Sequence, residues 1–150
     1  MIKVKDIMTA INKKLAETFP YAVYVQRQPK DFVRPSFLIE HIRTSQKDVN
    51  RSTTAKTAYF TITCFTPLNK HFDVNMEELL ELQETVMQLF AVGFLRVNDR
   101  AIKVQSSSGG IDDDRAYVDL QFEYFDDRND DVDEIPLMGT VMTTTNLKEG

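Results

Sequence analysis

Ile7, Met8, Ile11 and Leu15 recur at helical spacing, while Lys3, Lys5, Asn12, Lys13 and Lys14 fall largely off that stripe. The pattern predicts an amphipathic helix over residues 3–18, stopped at Pro20. From residue 21 the period changes: Tyr21, Val23 and Val25 alternate with Ala22, Tyr24 and Gln26, as in a strand. Pro29 and Pro35 bracket a turn, residues 30–34, that carries Phe32 and Val33. Residues 36–44 set Phe37, Ile39, His41 and Arg43 against Leu38, Glu40, Ile42 and Thr44, and residues 57–65 are rich in β-branched and aromatic side chains. Both read as strands. The stretch between them, residues 45–56, is almost wholly polar and lacks the turn chemistry of a tight two-residue hairpin. A long, mobile hairpin protruding from the sheet is expected there, with a disordered surface loop as the other reading of the same composition. Long loops in small domains are where function concentrates.

In the second half, Asn75 is placed to cap a helix, with Glu78 three residues on to bond back and Gly93 as its left-handed stop. Leu79, Leu82, Val86, Leu89 and Phe90 form its apolar face, and Glu77, Glu81, Glu84 and Gln88 point outward. A short strand over 101–105, a flexible turn at Ser106-Ser107-Ser108-Gly109-Gly110 and a long strand over 115–125 complete the pattern. The order α-β-β-β-α-β-β gives an α+β domain: a largely antiparallel, mixed sheet of about five strands with two helices packed on one face. No internal repeat is present. Residues 126–134 then hold six acids and one arginine. Residues 127–150 are expected to form an acidic, flexible tail, whose scattered apolar residues, such as Ile135, Leu137 and Met138, dock on a neighbouring subunit.

Size and charge sharpen this outline. A chain of 150 residues with 42% apolar and 27% charged residues is the length of one compact domain. No run of about 18 apolar residues occurs, so the expectation is a cytoplasmic protein without a membrane partner. A single cysteine, Cys64, leaves no internal disulfide and no thiolate cluster. The net charge of −5 conceals an asymmetry: residues 1–60 carry eleven Lys/Arg against five Asp/Glu, and residues 61–150 carry seven against eighteen. Opposite charge on two halves suits a head-to-tail contact between copies, although two solvated faces of unlike sign have the same composition.

Reactive chemistry is sparse. Asp112-Asp113-Asp114 is the nearest approach to a cation site, but EF-hand spacing is absent and three aspartates after Gly109-Gly110 also read as a solvated turn. With His41 or His71 the triplet would be needed for a metal-dependent phosphohydrolase, yet neither histidine adjoins a nucleophile in sequence. No phosphate-binding glycine motif occurs. Aromatic and basic residues interleave at Tyr21, Tyr24, Arg27, Phe32, Arg34 and Phe37, as on a single-strand nucleic-acid-binding sheet, but packing against a helix accounts for them as well. No catalytic residue, cofactor site or metal ligand is assigned.

Taken in order, Ile11-Asn12-Lys13-Lys14-Leu15, Phe19-Pro20, Pro35-Ser36-Phe37-Leu38-Ile39, Asn50-Arg51, Tyr59 and Cys64-Phe65 resemble the N-terminal half of the phage tail terminator family of contractile-tailed phages and prophages of Gram-positive bacteria. Val118-Asp119-Leu120-Gln121-Phe122-Glu123-Tyr124 resembles its closing strand, so the resemblance spans about residues 1–126. It implies a non-enzymatic virion protein at the tail–neck junction, assembled in the host cytoplasm. Such a protein forms a homohexameric ring on the tail tube, stops tube polymerisation, and presents a surface to the neck or head-joining proteins, with the sheath as a further partner. Another neck or head–tail adaptor ring protein of the same tail is the alternative. In this frame the hairpin residues Gln46, Lys47, Asn50, Arg51 and Lys56 are expected to contact a neighbouring subunit or the tube end.

Overall fold

The computed structural model describes residues 2–91, 94–127, 141–142 and 144–145. Helix α1 spans Val4–Thr18, with the Asp6 carboxylate accepting a hydrogen bond from the Lys3 backbone N–H at 3.0 Å. Its apolar stripe is buried as the spacing dictates, Ile7, Ile11 and Leu15 having no exposed surface. Strand β1 (Ala22–Val25) follows, then β2 (Ser36–Asp48) and β3 (Thr53–Phe65). Helix α2 covers Met76–Phe90, and the Asn75 side chain accepts from the backbone N–H groups of Glu77 and Glu78 at 3.1 and 3.2 Å. These bonds satisfy two of the donors a helix start leaves open. The helix stop expected at Gly93 lies outside the described residues.

Three further strands complete the sheet: β4 (Phe94–Val97), β5 (Arg100–Asp112) and β6 (Arg115–Asp127). Their spatial order is β1-β2-β3-β6-β5-β4, with β1 parallel to β2 and every other pair antiparallel. A separate two-stranded pair joins β7 (Val141–Met142) to β8 (Thr144–Thr145). Along β3 and β6 the even-numbered side chains Ala58, Phe60, Ile62, Cys64, Val118, Leu120 and Phe122 point into one core, which α1 and α2 cover. Helix α2 packs on β5, β6 and β3, whereas α1 touches β4, β1 and β2. Because β1 and β4 are the outermost strands, contact of one helix with both means that the sheet curls around it. The α+β class, element order and long hairpin agree with the sequence.

The segment read as a flexible turn, Ser106 to Gly110, is instead the middle of β5, and the reversal falls at Asp113-Asp114. Glycine is a poor strand former on propensity alone, but here close approach demands it at 109 and 110. A Cβ on Gly109 would lie 2.8 Å from Gln83 Nε2 and 2.9 Å from the Tyr117 carbonyl oxygen. One on Gly110 would lie 2.6 Å from Tyr117 Oη. Gln83, a polar residue buried within the apolar face of α2, donates through Nε2 to the carbonyls of Gly110 and Tyr117 at 2.8 and 3.2 Å, so the helix is pinned to the strands at the glycines. Gly109→Ala is therefore expected to destabilise the fold by about 1–3 kcal/mol through overpacking. A urea midpoint unchanged from wild type would show that Gln83 and the strand move aside freely.

Candidate functional site

The β2–β3 hairpin is built almost to its tip by backbone pairing: the ladder runs from Ser36↔Phe65 to Asp48↔Thr54, with a register shift at Ile42. Polar side chains do not prevent such a ladder, because the hydrogen bonds belong to the main chain. At the tip, Val49 N–H donates to the Thr53 carbonyl at 2.9 Å, and Asn50 Oδ1 accepts from the Ser52 N–H and hydroxyl at 2.9 and 3.2 Å. The two arms differ in support. Strand β3 is flanked by β6 along its whole length, whereas β1 pairs only with residues 36–39 of β2. From Glu40 to Asp48 the outer edge of β2 has no strand beside it, and residues 42–51 are all exposed.

The five hairpin residues named from the sequence therefore divide. Gln46 and Lys47 lie on the exposed arm, and Asn50 and Arg51 in the turn. Asn50 shapes that turn through its own side chain, while Lys47 and Arg51 carry no ion pair among the described residues. Lys56 does not project outward with them: its Nζ lies 3.3 Å from Asp126 Oδ2. Asp126 also accepts from Arg100 Nη1 at 2.8 Å and from the Ile2 N–H at 3.4 Å. Its side chain is 1% exposed. So Asp126, the first of the six acids over residues 126–134, is the buried knot of β6, fastening the β3 arm near the hairpin's tip to β5 and to the segment that leads into α1. Burial alone pushes its carboxyl up, but the bonds from Arg100, Lys56 and Ile2 outweigh that and hold its pKa below the ordinary value.

A second knot closes the other end of the sheet. Arg34 donates to the Thr66 carbonyl at 2.8 Å and pairs with Asp114 at 3.2 Å, its guanidinium 5.3 Å from the Phe65 ring. Asp114 also accepts from Arg115 at 3.1 Å. Partial burial raises its pKa, the two arginines lower it more, and the net shift is downward. The Asp112–Asp114 triplet is thus a turn whose third carboxylate is occupied by arginines, and no metal-holding group of His, Cys, Asp and Glu occurs among the described residues. His41 Nε2 lies 2.7 Å from Thr44 Oγ1 with its ring against Phe60, and His71 is exposed. Tyr21 and Phe37 stack with Phe19, and Phe32 packs on Phe65, so the early aromatics are engaged in packing. Burial pushes the Cys64 thiol up to about 12, which leaves it an inert core residue.

Another surface escaped the sequence reading. Phe72 is 81% exposed and adopts a φ of 63°, and Met76 and Leu80, one helical turn apart at the start of α2, are also exposed. A bulky residue in the left-handed region costs of order 1–3 kcal/mol and is a feature of functional surfaces. The signal was legible in principle: Met76 and Leu80 lie off the stripe defined by Leu79, Leu82 and Val86.

No curated protein matches the chain. Among the solved structures that match, one aligns with 86% of this chain and 98% of its own length, at 13% identity and a TM-score of 0.41. The family model described as "Phage tail terminator protein" matches residues 6–134, reaching past the closing strand into the acidic segment. That match runs from the first turn of α1 through the hairpin, α2 and all six strands of the sheet, and the chain belongs to the phage tail terminator protein family.

Proposed function

We propose that this phage tail structural protein acts as the terminator of its tail: six copies close into a ring on the last ring of tube subunits, halt tube growth and offer the exposed rim to the neck. Membership of the family supports the assignment to the tail. The observation that carries the mechanism is the half-supported hairpin, one arm braced by β6 and the other presenting an open strand edge with Lys47 and Arg51 unpaired among the described residues. A braced arm holds its shape without a partner, and an open edge with free cations gives a partner both main-chain and charge-assisted bonds. The role is structural and calls for no cofactor or enzymatic step.

Six copies of the 17.3 kDa chain form a particle of about 104 kDa. Light scattering and negative-stain imaging, of the protein alone and added to tube ends, read that assembly. Lys47→Ala/Arg51→Ala is expected to fold normally and yield overlong tails or tails without heads. Tails of normal length joined to heads would overturn the role given to the hairpin.

A further inference from the structure

The proposed ring needs two different surfaces on each copy, since a closed head-to-tail assembly joins unlike patches. Resting on that ring reading, we infer that the free arm of the hairpin seats on the outward face of α2 of a second copy of this chain. The hairpin side combines exposed apolar residues, Ile42 and Val49, with Lys47, Arg51 and Arg43, the last with its guanidinium 4.0 Å from the Tyr59 ring; Asp48 is the one acid on this arm, against three cations. The α2 side combines exposed Met76 and Leu80 with Glu77, Glu81 and Glu84, all exposed. Each patch is apolar with charge beside it, and the signs are opposite.

Their places in the fold suit such a contact. Helix α2 packs over β5, β6 and β3, whereas the hairpin's free edge is the far side of β2. The two patches are therefore distinct surfaces of one copy, as a repeating head-to-tail contact requires. Helical geometry sets the two kinds of residue side by side: Met76 and Leu80 are spaced by four, as are Glu77 and Glu81, so adjacent rows of apolar and acidic side chains run along one helix. The hairpin carries matching chemistry at its tip, with Lys47 at the end of β2, Arg51 in the turn and the exposed Val49 between them in sequence. Just before this helix, the Asn69–Asp73 turn, closed by Phe72 N–H to the Asn69 carbonyl and by the Asn69 side chain, carries the Phe72 ring in solvent at 81% exposure.

Charge reversal with rescue tests the contact in the full-length chain. Lys47→Glu/Arg51→Glu and, separately, Glu81→Lys/Glu84→Lys each place like charges across the interface; both sites are exposed, and the glutamates chosen avoid the helix's first turn. Assembly is read by light scattering and by capping of tube ends, and folding by circular dichroism. Each reversal alone is expected to weaken assembly at least tenfold, and the chain carrying both to recover most of it. A carbodiimide cross-link between Lys47 of one copy and an α2 glutamate of an isotopically labelled second copy would support the same contact independently. Rings that form equally well with either reversal overturn this interface and leave the ring reading intact. A chain that remains monomeric in solution and on tube ends overturns both.

Discussion

Replacing Phe60 with alanine is expected to lower the stability of the protein by about 3–5 kcal/mol, the cost of emptying a large aromatic site in a core that collapses only partly. Phe60 is 1% exposed at the middle of β3, with its ring centroid 5.2 Å from that of His41 and 5.8 Å from that of Phe122, so the cavity would open between three adjacent strands. Against a total folding free energy of about 5–15 kcal/mol, such a loss takes a domain close to unfolding. The measurement is a urea titration: the midpoint should fall while the slope stays constant, since the surface exposed on unfolding barely changes. A midpoint within error of wild type would mean that the neighbouring rings close over the space, and that the centre of the sheet is far more plastic than its packing suggests.

Asp126→Asn is the second large effect, and its dependence on pH separates charge from packing. The substitution leaves Lys56 and Arg100 facing a neutral amide, and about 2–3 kcal/mol is expected. The figure sits below the usual range for breaking a buried pair because Arg100 remains 40% exposed and so partly hydrated. In the folded protein Asp126 ionises below its ordinary value of 3.8. Between the two values the unfolded chain binds more protons than the folded one, so stability rises with pH through that window. The contribution is fully present well above pH 3.8, begins to fade as the pH falls to that value, and is gone below the folded-state pKa. Asp114, shifted the same way, adds to the slope. Urea midpoints of wild type and variant should therefore differ most near pH 7 and converge under acid conditions. A gap of constant size would show that Asp126 acts through shape alone.

The parts of the fold governed by local rules were plain in the sequence. Asn75 before an apolar stripe caps a helix wherever it occurs, and the alternation of Ala116, Val118, Leu120 and Phe122 can face only one core. The errors come from residues whose role is set by distant partners. Gly109 and Gly110 resemble a turn until Gln83 and Tyr117 are placed against them. The long hairpin expected at 45–56 is present, and its pairing runs almost to the tip, with β6, supplied from the other end of the chain, bracing β3. Strand β4, at Phe94–Val97, is too short to announce itself by alternation. Of the hairpin residues, Gln46, Lys47, Asn50 and Arg51 lie on the exposed surface the sequence suggested. Lys56 is held by Asp126, an ion pair seventy residues apart that composition cannot reveal.

The pairing of β3 with β6 also governs how the chain is made. Strand β3 ends at Phe65, and β6 begins only at Arg115. The central ladder of the sheet therefore closes across a long span of sequence, a topology that slows folding. A growing chain on the ribosome carries the β2–β3 hairpin with one whole flank of β3 unsatisfied until the last strand of the sheet emerges. During that interval the segment at Ala58–Phe65, apolar on its inner face, is open to pairing with other nascent chains. The yield of folded protein should thus be most sensitive to temperature and to chaperones during synthesis.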